Sequence, residues 1–367
     1  MSHNKQLAEM IIKVRDTACQ AENEEELLPV FRTLRQFQRE VGPIKYDNTV
    51  KWGVLFGLAV ASVLLGIVFY ALPPEYLLVG FGDASYFIVG GLALGAAVVG
   101  AWIALANSEI DTVSDLVFTA DIMFDNRLRP VPIGGRGYDL YQTLYGQFGD
   151  FRGRGDEGHR IERLIDGEWR GGEHEFDYRY YRFRYVEVHY VPVTKKVGNT
   201  TVTTMERRTS THYRYGLIMD FPYANGLAIQ SGGGSFRHYI ERFETASERF
   251  NGEFAVYTDD SHAAAKFLKP AVVLAFEQVG GRYSGLNVEI NRQGKLNLSF
   301  SDSDLLDRER RHSISDPDAF EEEIRGHLAL EKLNRLFRLV ETMAKHNDSN
   351  FEVPGASAAV ASTEKGV

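Results

Sequence analysis

Two long apolar runs near the N-terminus constrain the fold of this chain more than any other feature. The first, "WGVLFGLAVASVLLGIVFYAL", extends from Trp52 to Leu72, and the second, "YFIVGGLALGAAVVGAWIALA", extends from Tyr86 to Ala106. Neither run contains a charged side chain, and about 20 such residues in a helix cross a hydrocarbon core of about 30 Å. A pair of buried helices in a large soluble core is the alternative, but aromatic residues at the ends of both runs favour a transmembrane hairpin.

The charges that flank the runs predict their orientation. Basic residues precede the first run at Arg32, Arg35, Arg39, Lys45 and Lys51. The connection "PPEYLLVGFGDAS" carries Glu75 and Asp83 and no basic residue. By the positive-inside rule, the N-terminus lies in the cytosol, the connection lies outside, and the second span returns the long C-terminal part to the cytosol. Because about fifty residues precede the first run, a cleaved signal peptide is excluded.

Small residues inside the runs predict how the two helices pack. Gly53 and Gly57 form one GxxxG spacing, and Gly91 and Gly95 form another. Such spacings let helix backbones approach closely in lipid, and packing between the two spans is favoured over contacts between copies. Neither run contains Asp, Glu, Lys, Arg or His, which argues against a transporter or a channel.

The chain is predicted to divide into four segments. Residues 1–48 are a cytosolic helical region, 49–106 are the transmembrane hairpin, 107–346 are a cytosolic α+β domain with several antiparallel β-hairpins, and 347–367 are a disordered tail that has few large apolar residues. Cys19 is the only cysteine, so no internal disulfide forms, as expected of a mainly cytosolic body. A net charge of −9 gives no general bias toward polyanions.

Turn signals predict three hairpins in the α+β domain. They are Asp166-Gly167, Gly198-Asn199 and Gln293-Gly294, each between stretches of alternating residues. A single long helix is predicted from about Asp316 to His346, with Ser315 as a capping residue.

The stretch "EFDYRYYRFRYVEVHYV", Glu175 to Val191, raises the question of nucleic-acid binding because it interleaves aromatic residues with arginine. As a strand it would need two bulges, because its aromatic residues change face twice. Arg182 and Arg184 then belong to a solvated face. Acidic neighbours dilute any basic groove and no RNA-recognition signature is present, so nucleic acid is not an expected partner.

Candidate catalytic and ligand-binding residues are few. The histidines at positions 159, 174, 189, 212, 238 and 262 lack the close pairing of a zinc site. The segment "SGGGSF", Ser231 to Phe236, is similar to a phosphate-cradling turn but lacks the Lys-Ser/Thr ending of a P-loop. Asp259 and Asp260 would suit a hydrolase or a Mg²⁺ site only if further carboxylates converged on them. No catalytic residue, metal or cofactor is therefore predicted.

The chain resembles a known family over most of its length, and two runs of residues carry the likeness. The residues are "RYGLIMDFPYANGLAIQ" and the run "FNGEFAVYTDDSHAAAKFLKPAVVLAFEQVGGRYSGLNVEINRQGKLNLSF". They resemble a bacterial family of two-span membrane proteins known only as a domain of unknown function and often encoded beside LemA-family proteins. Its strand, Asp-containing turn, Ala-rich helix and Leu-x-Pro are matched here by Phe254–Tyr257, Asp259-Asp260, Ala263–Ala265 and Leu268–Pro270. The "GNTTVTTMERRTST" hairpin is longer than the family pattern implies.

The resemblance implies a location and no activity. It implies a multi-pass protein of the bacterial inner membrane, with both termini in the cytosol and a LemA-family protein as one candidate partner. The favoured hypothesis is a non-catalytic interaction or scaffold module, with a homo-oligomer left open. The alternatives are a membrane-anchored hydrolase using carboxylates near Asp259 and Asp260, and a nucleic-acid-binding membrane sensor.

Overall fold

The computed structural model describes residues 2–71, 81–197 and 200–348. They fall into two compact units. The first comprises the described residues of Met1–Asp125 and Glu309–Leu328, and the second comprises those of Asn126–Arg308 and Ala329–Val367. The α+β class is confirmed, because the described residues combine helices with one antiparallel sheet of nine strands.

The elements follow one another along the described chain. The helices are α1 (His3–Gln20), α2 (Glu24–Glu40), α3 (Thr49–Ala71), α4 (Phe81–Asp125), α5 (Gly137–Gln147), α6 (Glu248–Glu253), α7 (Ser261–Phe267), α8 (Pro270–Val279), α9 (Pro317–Ile324) and α10 (Glu331–Lys345). The strands are β1 (Leu128–Pro130), β2 (Glu157–Trp169), β3 (Phe176–Val197), β4 (Thr200–Asp220), β5 (Leu227–Gln230), β6 (Glu241–Phe243), β7 (Ala255–Thr258), β8 (Asn287–Ile290) and β9 (Lys295–Phe300).

Two helices, α1 and α2, form the N-terminal part of the first unit. α1 and α2 contact each other and α4, and α2 also contacts α9, where Phe31 meets Phe320 edge-on with ring centroids 5.8 Å apart. Asn23 caps α2 by accepting from the amide of Glu26 at 3.1 Å. The carboxylate of Glu26 accepts from the amide of Glu22 at 2.8 Å, so one amide of the first turn and one amide just before the helix are satisfied.

Two helices of the first unit are long and apolar enough to cross a membrane. They contain the candidate spans Thr49–Val68 and Phe87–Asp125. α3 and α4 pack against each other, and the hydroxyl of Ser62 donates to the carbonyl of Val89 at 3.2 Å. α4 does not end near Ala106. It continues to Asp125 because the residues beyond the apolar run have a helical period that buries Ile110 and Val113.

The second unit is built on the sheet, whose strand order is β1-β2-β3-β4-β9-β8-β5-β7-β6. The hairpin at Gln293-Gly294 is confirmed: β8 and β9 pair, and Gly294 has a φ of +72°, which glycine adopts readily. β3 and β4 pair up to Val197 and Thr200, while the predicted turn residues Gly198 and Asn199 lie outside the described residues. The predicted tail also lies outside them from position 349 onward.

The predicted hairpin at Asp166-Gly167 is wrong. β2 passes through both residues, and the chain turns between Trp169 and Phe176 instead. Gly167 serves close packing, because a Cβ there would lie 2.4 Å from the ring of Tyr178. An Asp-Gly pair in an extended segment can therefore mark the approach of a side chain rather than a turn.

The predicted single helix from Asp316 to His346 is also wrong. α9 ends at Ile324 in the first unit, and α10 begins at Glu331 in the second. Between them His327 has a φ of +46°, which no helix continues. Asp125 holds this break, since its carboxylate accepts from the amide of Leu328 at 2.5 Å and contacts the His327 ring at 2.8 Å. Asp316, not Ser315, caps α9 by accepting from the amide of Ala319.

The aromatic stretch forms part of β3 and contains no bulge. β3 pairs with β4 without a register shift, whereas the bulges lie in β2, near Glu157–Arg160 and Ile161–Arg163. The aromatic residues change face because the covered face of the strand changes along its length. Tyr178 packs on Phe337 of α10, while Tyr181 and Phe183 are buried on the opposite face beside α5. Asp177 and Arg179 lie on that opposite face nearer the start of the strand and are exposed. Most of the aromatic residues of the stretch are therefore buried.

Candidate functional site

The far half of the β3–β4 hairpin projects beyond the sheet. β2 pairs with β3 only as far as Val186, and β9 pairs with β4 only as far as Tyr215. Beyond these points β3 and β4 pair only with each other among the described residues. We call Glu187–Val197 and Thr200–Ser210 the arm. At about 3.3 Å per residue it is roughly 35 Å long.

The surface of the arm is exposed and partly apolar. Tyr190 and Met205 are 61% and 62% exposed, and their register places them on the same face as Pro192. Beyond the amide of Val188, which donates to Asp156 at 2.8 Å, both edges offer backbone groups that pair with no further strand among the described residues, and such edges are templates for another strand. Pro192 has no amide donor, so β3 lacks a hydrogen-bonding group at this position, whereas β4 contains no proline and keeps all of its amides. An isolated two-stranded ribbon contributes little to stability, so its length needs a reason other than folding.

The four glycines predicted to pack the two apolar helices together have different surroundings. A Cβ at Gly95 would lie 3.5 Å from Leu58, so this glycine faces the neighbouring helix. A Cβ at Gly53, Gly57 or Gly91 would meet open space. Three of the four small residues are therefore free of packing among the described residues, and the choice between contacts within the hairpin and contacts between copies stays a prediction.

Asp259 and Asp260 each interact with a different group of the second unit. Asp259 forms a two-point ion pair with Arg292 at 2.7 and 2.9 Å, and the hydrogen bond from Arg292 holds the pKa of Asp259 below its usual value. Asp260 accepts from the amide of His262 at 2.8 Å and so caps α7. Within residues 2–71, 81–197 and 200–348, no group of three or more His, Cys, Asp or Glu is placed to hold a metal ion.

Backbone groups of the "SGGGSF" segment form hydrogen bonds with other residues of the second unit. The amides of Ser231 and Gly232 donate to the side-chain oxygen of Asn287 at 3.1 and 2.8 Å. The carbonyl of Gly233 accepts from Asn287 at 2.9 Å and from Arg154. A Cβ at Gly232 would lie 2.4 Å from the carbonyl oxygen of Gly285, so glycine serves close packing here. The amides of Ser231 and Gly232 are therefore not free to bind a phosphate.

Beneath this segment lies a buried charged network that sequence reasoning missed. One oxygen of Asp150 accepts from Arg154 at 2.7 Å and from Asn287 at 2.5 Å, and it lies 3.4 Å from Arg214. Burial would raise the pKa of Asp150, but Arg214 and Arg154 hold it below its usual value. Glu289 accepts from the amide of Gly149 at 2.9 Å. Asp150 is thus paired with two arginines, whereas Glu289 is held by the amides of Gly149 and Asp150 and by the Tyr239 hydroxyl.

Two of the histidines share one carboxylate: His189 and His212 lie 3.6 and 3.4 Å from Glu187. His238 lies 3.4 Å from Glu289, and His174 lies 3.8 Å from Asp348. These histidines are scattered, as predicted, except for the pair at Glu187. The one available signal for the buried network was Glu289, a charged residue inside the apolar strand "LNVEI", where a buried partner is required.

No family model matches the chain, and no curated protein or solved structure is similar to it. The resemblance to a bacterial two-span family therefore stays a prediction.

Proposed function

We propose that this protein is a membrane-anchored interaction or scaffold module without catalytic activity, whose second unit faces the cytosol. It lies in the bacterial inner membrane as a multi-pass protein with both termini inside. The observation that supports the proposal is the arm, a ribbon of about 35 Å with two unpaired edges on a stable sheet.

Strand addition explains how such an arm would recognise a partner. An extended segment of another protein can pair with an exposed sheet edge, where main-chain hydrogen bonds supply affinity and alternate side chains supply specificity. The β4 edge has exposed residues from Thr203 to Ser210, and Tyr190 and Met205 offer apolar contacts beside it. A protein partner follows from this surface; a LemA-family protein is one candidate, and a second copy of the chain is another. Nucleic acid is not expected.

The hydrolase alternative has less support. Asp259 would have to exchange Arg292 for a substrate or a metal, and Asp260 would have to leave its capping position. Each exchange removes an interaction that stabilises the fold, and no third carboxylate converges on the pair among the described residues.

Shortening the arm tests the proposal. Replacing Val188–Thr209 by Asn-Gly joins the paired residues Glu187 and Ser210 through a two-residue turn and keeps the body of the sheet. The tagged full-length protein and this variant would be solubilised from native membranes, and the co-purifying proteins would be quantified by mass spectrometry. We expect partners of the full chain to be lost from the shortened variant.

A truncation after Asp348 is the matched control, because it removes a similar number of residues outside the described part of the chain. Its co-purifying proteins should equal those of the full chain. Retention of every partner by the arm-shortened variant would contradict the proposal.

A further inference from the structure

Four arginines lie side by side on two neighbouring strands. Arg163 pairs directly with Arg182, and Arg160 pairs with Arg184, in the antiparallel register of β2 and β3. Like charges directly opposite each other across strands destabilise a sheet. The arrangement therefore carries a stability cost that a bound anion would offset.

A single carboxylate organises the cluster without neutralising it. Glu162 accepts from Arg160 at 2.9 and 2.6 Å, and it lies 3.2 Å from Arg182 and 3.8 Å from Arg184. Arg163 has no ion pair or hydrogen bond among the described residues, and the Nε of Arg182 is buried without an acceptor. Guanidinium groups thus converge here. Because each carries five N–H bonds, some of these donors have no acceptor.

The cluster opens on a cleft of about 850 Å³ at the edge of the sheet. The loop before α5 forms its other wall, and Gly134, Gly135, Gly137 and Tyr138 line it together with the arginines. Gly137 and Tyr138 open α5, a helix of 11 residues that has no side-chain cap at its N-terminus. The free amides of a first helical turn attract anions, so the second wall has the same preference as the first.

The charge balance indicates the ligand. After burial, the negative charge of Asp307 also raises the pKa of Tyr180 and of Tyr215, so a second carboxylate acts near this face. Four arginines against two carboxylates leave an excess of two positive charges. A phosphate monoester carries about two negative charges at neutral pH, and arginine forks fit its oxygens two at a time. We propose that this cleft binds a phosphate monoester group.

The test uses the full chain in detergent and inorganic phosphate and phenyl phosphate as probes, with binding followed by titration calorimetry. Saturable binding is expected, and Arg182→Gln with Arg184→Gln should weaken it at least about tenfold, the effect of losing one or two charged contacts. Vesicles that contain phosphatidic acid, compared with vesicles of phosphatidylglycerol, decide whether the monoester comes from a lipid headgroup or from a soluble ligand.

A matched control removes two charges elsewhere: Lys195→Gln with Arg208→Gln on the exposed arm should bind as the native chain does. If the double arginine variant fails to fold, Arg163→Gln alone replaces it, because this arginine has no partner to lose among the described residues. Three results would overturn the proposal. They are no phosphate binding, equal loss in the cleft and arm variants, and binding of an oligonucleotide without binding of phosphate.

Discussion

Asp121 is a buried acidic residue in the described part of the first unit. It lies in the charged half of α4, beyond the apolar run, and is fully buried; neither carboxylate oxygen has a hydrogen-bond partner among the described residues. Burial, with a smaller contribution from the charges of Asp125 and Glu24, raises the pKa of Asp121 to about 8. The side chain is therefore largely protonated at neutral pH.

This raised pKa predicts a pH-dependent stability. The unfolded chain loses the proton near the ordinary pKa of 3.8, whereas the folded chain keeps it to about pH 8. Between these values the folded state binds more protons, so the free energy of unfolding falls as pH rises, by up to about 1.4 kcal/mol per pH unit. Asp121→Asn should remove most of this slope between pH 5 and about pH 7.5.

Hydrogen exchange of α1, α2 and α4 in the detergent-solubilised chain measures how the stability of the first unit changes with pH. His327 also acts here, because its hydrogen bond to Asp125 raises its pKa and its stabilising effect is lost as pH rises. His327→Gln is therefore the control and should leave most of the slope in place. Identical slopes in the native chain and in Asp121→Asn would show that the carboxyl is ionised when folded.

Residues that act locally were predictable from sequence, and residues that act through tertiary packing were not. Asn23 capped its helix as its spacing to Glu26 predicted, because a cap depends on three neighbouring positions. Asp121 and Asp150 are unusual only because distant segments bury them, and no local pattern records that. Gly167 was misassigned for the same reason, since the ring that requires it belongs to another strand.

At the scale of elements, β3 changes role along its length. Its first half packs on α10 with one face and on α5 with the other, at successive positions, and its second half forms the arm. Phe183 is completely buried, whereas Tyr190, seven positions later on the same strand, is 61% exposed. Phe183→Ala should lower the free energy of unfolding by about 3–5 kcal/mol, because it leaves a cavity in the core. Tyr190→Ala should change it by no more than about 0.5 kcal/mol.

Denaturant unfolding of the two variants in parallel checks the difference, with hydrogen exchange of β2 to β4 as the local measure. Similar losses for both would mean that the arm packs on something in the folded protein and is not a free ribbon.

The elements predicted correctly were those with a strong local period, and the errors arose where two parts of the chain meet. The N-terminal helices, both apolar helices and the hairpin at Gln293-Gly294 were all recognised from spacing and turn residues. The break between α9 and α10 was missed because Asp125, about two hundred positions earlier, holds it. The bulges were assigned to β3 because the coverage of its second face by α5 was invisible to a period-two pattern.

At the scale of the whole molecule, the topology can be tested with the chain's own cysteine. Cys19 is the only cysteine in the sequence, and its side chain is exposed on α1. If the N-terminus is cytosolic, a membrane-impermeant maleimide should not label Cys19 in intact spheroplasts and should label it once the membrane is permeabilised.

In a Cys19→Ser background, Glu75→Cys in the short connection should be labelled from outside, because basic residues flank only the other side of the first run. Ser210→Cys, exposed on the arm, should behave as Cys19 does. Labelling of Ser210→Cys in intact spheroplasts would place the second unit outside and contradict the cytosolic assignment. Equal protection of all three positions would instead indicate that the two apolar helices do not cross the membrane.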